Sequence, residues 1–439
     1  AYGSYTDRIG GSGDSGPAPG PTTREWGHDS VGVSAPARRW FLAEGSTAGG
    51  FETWVLVQNP DSRAAAHVKL TYMTGRGAVE GPAATIGPGS RATFNVADVV
   101  PGEWSVSTEV TSDVGVVAER AMYGKGRVLG TDSVGVPAAS PTWYLAEGCT
   151  NGGFETWVLV QNPNGAPAEV SLEYMTPSGA KNGPRARVPA NSRATFNVAD
   201  TVPREWSVST RVSSDAPVIA ERAMYGNHRT FGHDSVGAPA PAPASDWYLA
   251  EGCTNGGFET WVLVQNPGDV PASVELTYMT EHGEVDGPAV VLPANSRKTF
   301  DVAEFLPSEW SVSTRVHSDQ GVVAERAVYG NKRTWGHASV GVPAPARTWY
   351  LAEGCTNTGF ESWVLVQNPG EAPAQVTITY MTPAGPVGGP SEVLGPRSRR
   401  TYNIADFVPG EWEVSTRVVG SRPVVAERAM YGDSGPPAP

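Results

Sequence analysis

The stretch Arg24–Val33, REWGHDSVGV, decides how the rest of the chain is read. Near-copies stand at Arg127–Val136 (RVLGTDSVGV), Arg229–Ala238 (RTFGHDSVGA) and Arg333–Val342 (RTWGHASVGV). Each of these three follows an AERAMYG or AERAVYG motif, beginning at Ala118, Ala220 and Ala324, after a link of two residues such as Asn227-His228. A two-residue link with Asn or Gly beside it is a β-hairpin signal. The copies therefore read as the last strand of a unit, paired with the AERAMYG strand before it. Pro/Ala-rich stretches, Pro239–Ser245 and Pro343–Arg347, follow as extended spacers. A fourth AERAMYG begins at Ala426, but DSGPPAP (Asp433–Pro439) comes next, and its prolines cannot donate to a ladder. The chain thus opens with a closing strand that has no unit before it and ends with a unit that has no closing strand.

Other landmarks fix the repeat. WYLAEG recurs at Trp143, Trp247 and Trp349, and as WFLAEG at Trp40. FETWVLVQNP starts at Phe51, Phe154 and Phe258, with FESWVLVQNP at Phe360. Four units of roughly 100 residues match the usual size of a domain. Within a unit the hydrophobic period is two. Val68, Leu70 and Tyr72 alternate with Lys69, Thr71 and Met73, and Gly/Pro/Asn pairs punctuate the runs. Seven or eight short strands and no helix predict an all-β chain of four tandem immunoglobulin-like β-sandwich domains, arranged as an elongated rod. The boundaries fall at 1–21 (a flexible, Gly/Ser/Pro-rich extension), 22–35 (the spare strand), 40–136, 143–237 and 247–342 (three complete units), 349–432 (a fourth lacking its last strand) and 433–439 (a tail).

Three Trp positions recur in every unit (Trp40, Trp54 and Trp104 in the first), and strand alternation assigns them to the core. A net charge of −13 argues against nucleic acid as a partner. No apolar run reaches the roughly 18–20 residues of a membrane span, and the absence of a leader implies that any signal peptide has been removed. The single thiols Cys149, Cys253 and Cys355 share the context AEGCT, one to a unit, and read as buried thiols or as links between chains. His28-Asp29-Ser30 is no catalytic triad, because neighbours on a strand point to opposite faces and the copies replace His by Thr131 and Asp by Ala338. The recurring Arg and Glu residues, Glu44, Glu119, Arg91 and Arg120 in the first unit, read as ion pairs on adjoining strands. No spacing fits a zinc, calcium or phosphate site, so neither an enzyme activity nor a cofactor is expected.

WYLAEG, FETWVLVQNP and AERAMYG together resemble a repeat of unknown function in large secreted or surface proteins of bacteria. The resemblance implies an extracellular immunoglobulin-like module without known enzyme activity, and it carries no binding residues to this chain. A unit short of one strand beside a spare strand is similar in logic to donor-strand pili. The expected function is that of an extracellular filament subunit that binds other copies of itself head to tail. Arg24, Trp26, His28, Ser30, Val31 and Val33 form the donor strand, and Trp349, Ala426, Arg428, Met430 and Tyr431 form its acceptor in the next subunit. Four modules in an open row would hold the strand out of reach of its own chain. The alternative is an adhesin stalk or carbohydrate-binding array, which requires exposed aromatic residues for surface glycans.

Overall fold

The alternating segments form strands in the computed structural model, which describes residues 24–433. The expected N-terminal extension and the tail beyond Asp433 lie outside the described residues. The first strands are β1 (Trp26–Val31), β2 (Ala37–Leu42), β3 (Glu52–Asn59), β4 (Ala66–Thr74), β5 (Gly77–Ile86), β6 (Ser90–Asn95), β7 (Val106–Gly124) and β8 (Leu129–Val134). Strands β2 to β8 make the first unit, and the next two units repeat them.

Every pairing within a unit is antiparallel, and one long strand serves two sheets. The first part of β7 lies between β2 and β4, with β5 beyond β4. Its second part lies between β3 and β8, with β6 beyond β3. The apolar run Val116-Val117-Ala118 marks the crossing, where both faces of the strand are covered. The two sheets enclose Trp40, Val55, Val57, Leu70, Tyr72 and Val110. Burying an indole leaves its N–H in need of an acceptor. Trp40, Trp143, Trp247 and Trp349 each solve this alike, donating to Val116, Val218, Val322 and Val424 O at 2.7 Å.

Neighbouring units meet through one repeated set of contacts. Gln161 Nε2 donates to Thr108 O at 3.3 Å, and Gln265 Nε2 to Thr210 O at 3.5 Å, each reaching back into the preceding unit. Arg193 Nη1 donates to Gly45 and Val106 O, both at 3.1 Å, and Arg297 Nη1 to Gly148 O at 3.1 Å. The first unit makes the same contacts with the fourth. Gln58 Nε2 donates to Thr416 O at 3.3 Å, and Arg91 Nη1 to Gly354 O and Val414 O at 3.2 and 3.0 Å. The row of four all-β units expected from the sequence therefore bends back on itself, and its ends meet as a closed ring.

The four closing strands (β1, β8, Phe231–Val236 and Trp335–Val340) stand together at the centre of the ring, with every residue buried. Val31 N–H donates to Ser339 Oγ at 3.1 Å, and Val340 N–H to Ser235 Oγ at 2.9 Å. A strand in this position has no wet face, so its alternate polar residues are packed against neighbouring units.

Candidate functional site: the ring closure and its buried charges

The strand beside Ala426–Gly432 comes from the same chain. β1 pairs antiparallel with the long last strand, Ser415–Gly432, setting Trp26 opposite Gly432, His28 opposite Met430 and Ser30 opposite Arg428. β8 pairs with β7 in the equivalent register, Leu129 opposite Gly124 and Ser133 opposite Arg120. Gly32 N–H donates to Ala426 O at 3.0 Å, and Val33 exchanges hydrogen bonds with Tyr350. The expectation that β1 is out of its own chain's reach fails because the ring brings the fourth unit to the first. Trp349 is not part of the strand's seat. It is buried in the fourth unit's core, and its neighbour Tyr350 meets Val33 instead.

The hairpin link also differs from expectation. β7 and β8 are joined by four residues, 125–128, not two. In the later units three successive link residues adopt left-handed backbone: Asn227, His228 and Arg229 (φ 47°, 58° and 61°), and likewise Asn331, Lys332 and Arg333. Arg24, which has no link before it, takes φ 48°. It also forms the ion pair of its counterparts: Arg24 with Glu361, as Arg127, Arg229 and Arg333 pair with Glu52, Glu155 and Glu259 at 2.7–2.9 Å.

Trp26, 1% exposed, stacks on His28 and meets Tyr123 and Phe360 edge-on at 5.3 and 5.5 Å. Glycines provide the room. A Cβ on Gly432 would lie 2.0 Å from Trp26 Cζ2, and one on Gly130 2.7 Å from Trp26 Cε3.

The recurring acids and arginines are ion-paired between units, across the seams, more than within a unit. Glu221 Oε2 accepts from the Glu44 N–H at 2.9 Å, Glu325 Oε2 from Glu147 N–H at 2.8 Å, Glu427 Oε1 from Ala250 N–H at 2.6 Å and Glu119 Oε2 from Glu353 N–H at 2.7 Å. Arg120 Nη2 donates to Glu221 and to Asp234, both at 2.7 Å. Arg428 Nη2 donates to Asp132 at 2.7 Å, and Arg326 bridges Asp29, Glu251 and Glu427. At the seam between second and third units, Ala338 stands where the others have Asp, and Arg222 Nη2 lies 3.0 Å from Glu147.

Burial governs how these groups titrate. Glu119, Asp234 and Glu325 are pushed up to about 7, and Asp29 and Glu353 rise well above the usual carboxylate range. For Asp132 burial acts upward as well and is the largest single influence, but Arg428, Glu353, His28 and Arg120 together outweigh it and hold the group low. His28 falls to about 3 and His233 to about 4, chiefly through burial. Their Nδ1 atoms each face an arginine Nη1 at 3.2 Å, which a neutral ring satisfies as acceptor.

Two groups, His28/Asp132/Glu353 and Asp29/Glu251/His337, bring polar atoms within 4.8 Å of one another, as a cation site would. In both, a guanidinium already supplies the positive charge: Arg428 in the first and Arg326 in the second. We therefore assign no metal to them.

Cys149, Cys253 and Cys355 are all buried. Burial pushes the Cys149 and Cys355 thiols up to about 11 and about 12, which leaves them unreactive. The assignment of every recurring Trp to the core needs correction. Trp104 and Trp206 are 61% and 56% exposed, and Trp310 and Trp412 are half-buried. Trp104 precedes β7 and lies against Gly49, where a Cβ would sit 2.1 Å from its Cη2. Strand alternation does not apply to a loop residue of this kind.

The fold and closure define an all-β protein of four tandem two-sheet units sealed by an N-terminal strand. Residues 234–329 match a family of unknown function, DUF5719. No curated protein matches the chain. Among solved structures, Thermotoga maritima 1070 is similar at 16% identity over 23% of this chain and 93% of its own, with a TM-score of 0.21. The Anabaena sensory rhodopsin transducer is similar at 22% identity over 19% of this chain and 93% of its own, with a TM-score of 0.18. A tetra-tandem repeat from the extending region of a large adhesion protein is similar at 10% identity over 89% and 98%, with a TM-score of 0.12. Scores this low carry no argument about function.

Proposed function

We propose that the chain is a non-catalytic structural module of a secreted or surface protein, a ring that seals itself with its own N-terminal strand. The pairing of β1 with Ser415–Gly432 in the register of the other units carries this reading. Closure satisfies the open edge of the fourth unit within one molecule, which removes the need for a donor from a neighbouring subunit. Head-to-tail filament growth would require β1 to leave its seat and enter another copy. Sedimentation velocity on the whole chain and on a chain lacking residues 1–35 separates the two. A monomer that self-associates only after the deletion supports closure in cis. Filaments formed by the whole chain, and lost on deletion, favour donation in trans.

A second reading is favoured by the exposed indoles. Trp104 and Trp206 offer flat apolar faces in equivalent places on two units, suited to stacking on sugar rings. Binding on a glycan array that is lost in the Trp104→Ala, Trp206→Ala double variant supports this reading. Undiminished binding by that variant removes it.

A further inference from the structure

We propose that β1 is a proton-held latch: the seams it completes each trap a proton between buried carboxyls, and loss of these protons at alkaline pH releases the strand. This rests on the ring closure and asks what holds it.

The geometry requires the protons. Asp132 and Glu353 bring carboxyl oxygens within 4.8 Å of each other, and the buried Asp132 Oδ2 and Glu353 Oε2 meet no hydrogen-bond donor, which a proton on either group would supply. In the other seam Asp29 and Glu251 bring oxygens within 4.8 Å, and Asp29 Oδ2 meets no donor.

The charges around each seam do not balance. Around His28 of β1 lie Asp132 of β8, Glu119 and Tyr123 of β7, Glu353 and Cys355 after the fourth unit's first strand, and Arg428 of its last strand. Arg91 of β6 reaches the same place through Gly354 O. Arg428 thus faces three carboxyl groups, Glu119, Asp132 and Glu353, and Arg91 beside them bonds to backbone oxygens. Arg120 adds charge from beyond, but its partners are Glu221 and Asp234 of the next seam. Around Asp29 lie Glu251, Arg326 and His337 of the third unit, with Glu427, Arg428, Tyr431 and Arg399 of the fourth. Arg326 and Arg399 again face three carboxyls: Asp29, Glu251 and Glu427.

The molecule contains its own control. Between the second and third units, where Ala338 replaces Asp, Arg222 faces two carboxyls, Glu147 and Glu325, instead of three, and burial raises only Glu325, to about 7, while Glu147 is held low. Between the first and second units the excess recurs, with Arg120 and Arg193 facing Glu44, Glu221 and Asp234, but there a covalent link tethers the closing strand. β1 contributes to two unbalanced seams and has no such link. Once β1 is released, the same carboxyls meet water and ionise at about 4, so closure takes up protons and weakens about tenfold per pH unit for each.

Hydrogen exchange on the whole chain tests this, with rates corrected for intrinsic pH dependence from about pH 6 to about pH 9. The expected result is that protection of the Gly27–Val31 amides falls about ten- to a hundredfold per pH unit, while that of Gly232–Val236 falls less. Glu353→Gln supplies Asp132 with an N–H donor in place of the shared proton and lowers the β1 slope by about tenfold per unit. Equal pH dependence of the two strands overturns the proposal, and this comparison within the wild-type chain stands even if the variant fails to fold. An unchanged slope in a folded Glu353→Gln variant overturns it too.

Discussion

In the first unit β7 runs into β8 through residues 125–128, and the second and third units close through links of the same length. The fourth unit receives β1 from the other end of the chain, with no link at all. The register, the left-handed arginine, the Arg–Glu pair outside it and the aromatic stack inside it are nevertheless the same in both situations. Side-chain complementarity therefore suffices to place a closing strand, and the covalent link adds the entropic advantage of a short loop. The consequence is functional. Release of the untethered strand would uncover the edge of the fourth unit without breaking a hairpin.

The largest effect expected from breaking this comparison is at the paired aromatics. Trp26→Ala should cost about 3–5 kcal/mol in denaturant unfolding, and Trp335→Ala should cost the same to within about 1 kcal/mol. A much smaller loss at Trp26 would mean that the untethered closure is looser than its hairpin counterpart. The pH dependence of stability comes next. The groups raised to about 7 (Glu119, Asp234 and Glu325) contribute stability that is complete below the ordinary carboxylate range and is lost as pH rises through 7. The histidines lowered to about 3 and about 4 contribute stability that is complete above 6.5 and is lost as pH falls toward those values. The Tm should therefore peak on the acid side of neutrality and fall on both flanks, which differential scanning calorimetry across pH measures.

Ala338→Asp sharpens the comparison between seams. It places beside Arg222 the carboxylate that the other three seams have, and should raise stability by about 1 kcal/mol at about pH 5–6. That gain should shrink as pH rises, because the new group makes the seam's charges as unequal as those of the others. The smallest effect is expected at Trp104→Ala, at most about 0.5 kcal/mol for so exposed a ring. Trp40→Ala, at the buried position of the same unit, should cost about 3–5 kcal/mol.

The strands and the four units were legible because alternation such as Val68, Leu70, Tyr72 reports burial directly. That Arg24–Val33 is a closing strand was legible from its copies. Which chain it closes was not, because the bend that brings Gln58 to Thr416 and Arg91 to Gly354 is set by seam contacts between residues hundreds of positions apart. The polar centre was hidden for the same reason. Glu119 reads in the sequence as half of an ion pair on adjoining strands, and with Glu353 it becomes a buried group shared between units once four closing strands share an axis. Trp104 was misplaced because the sequence does not mark where the loop ends and β7 begins.

The central claim is that β1 closes its own chain, and Arg24 and Glu361 offer a direct test. An Arg24→Lys variant, mixed as isotopically heavy and light chains before refolding and then coupled with a zero-length carbodiimide, joins residue 24 to Glu361. Closure in cis predicts crosslinked peptides that are wholly heavy or wholly light. Mixed pairs, approaching half of the total, would place the strand in another copy and contradict the account.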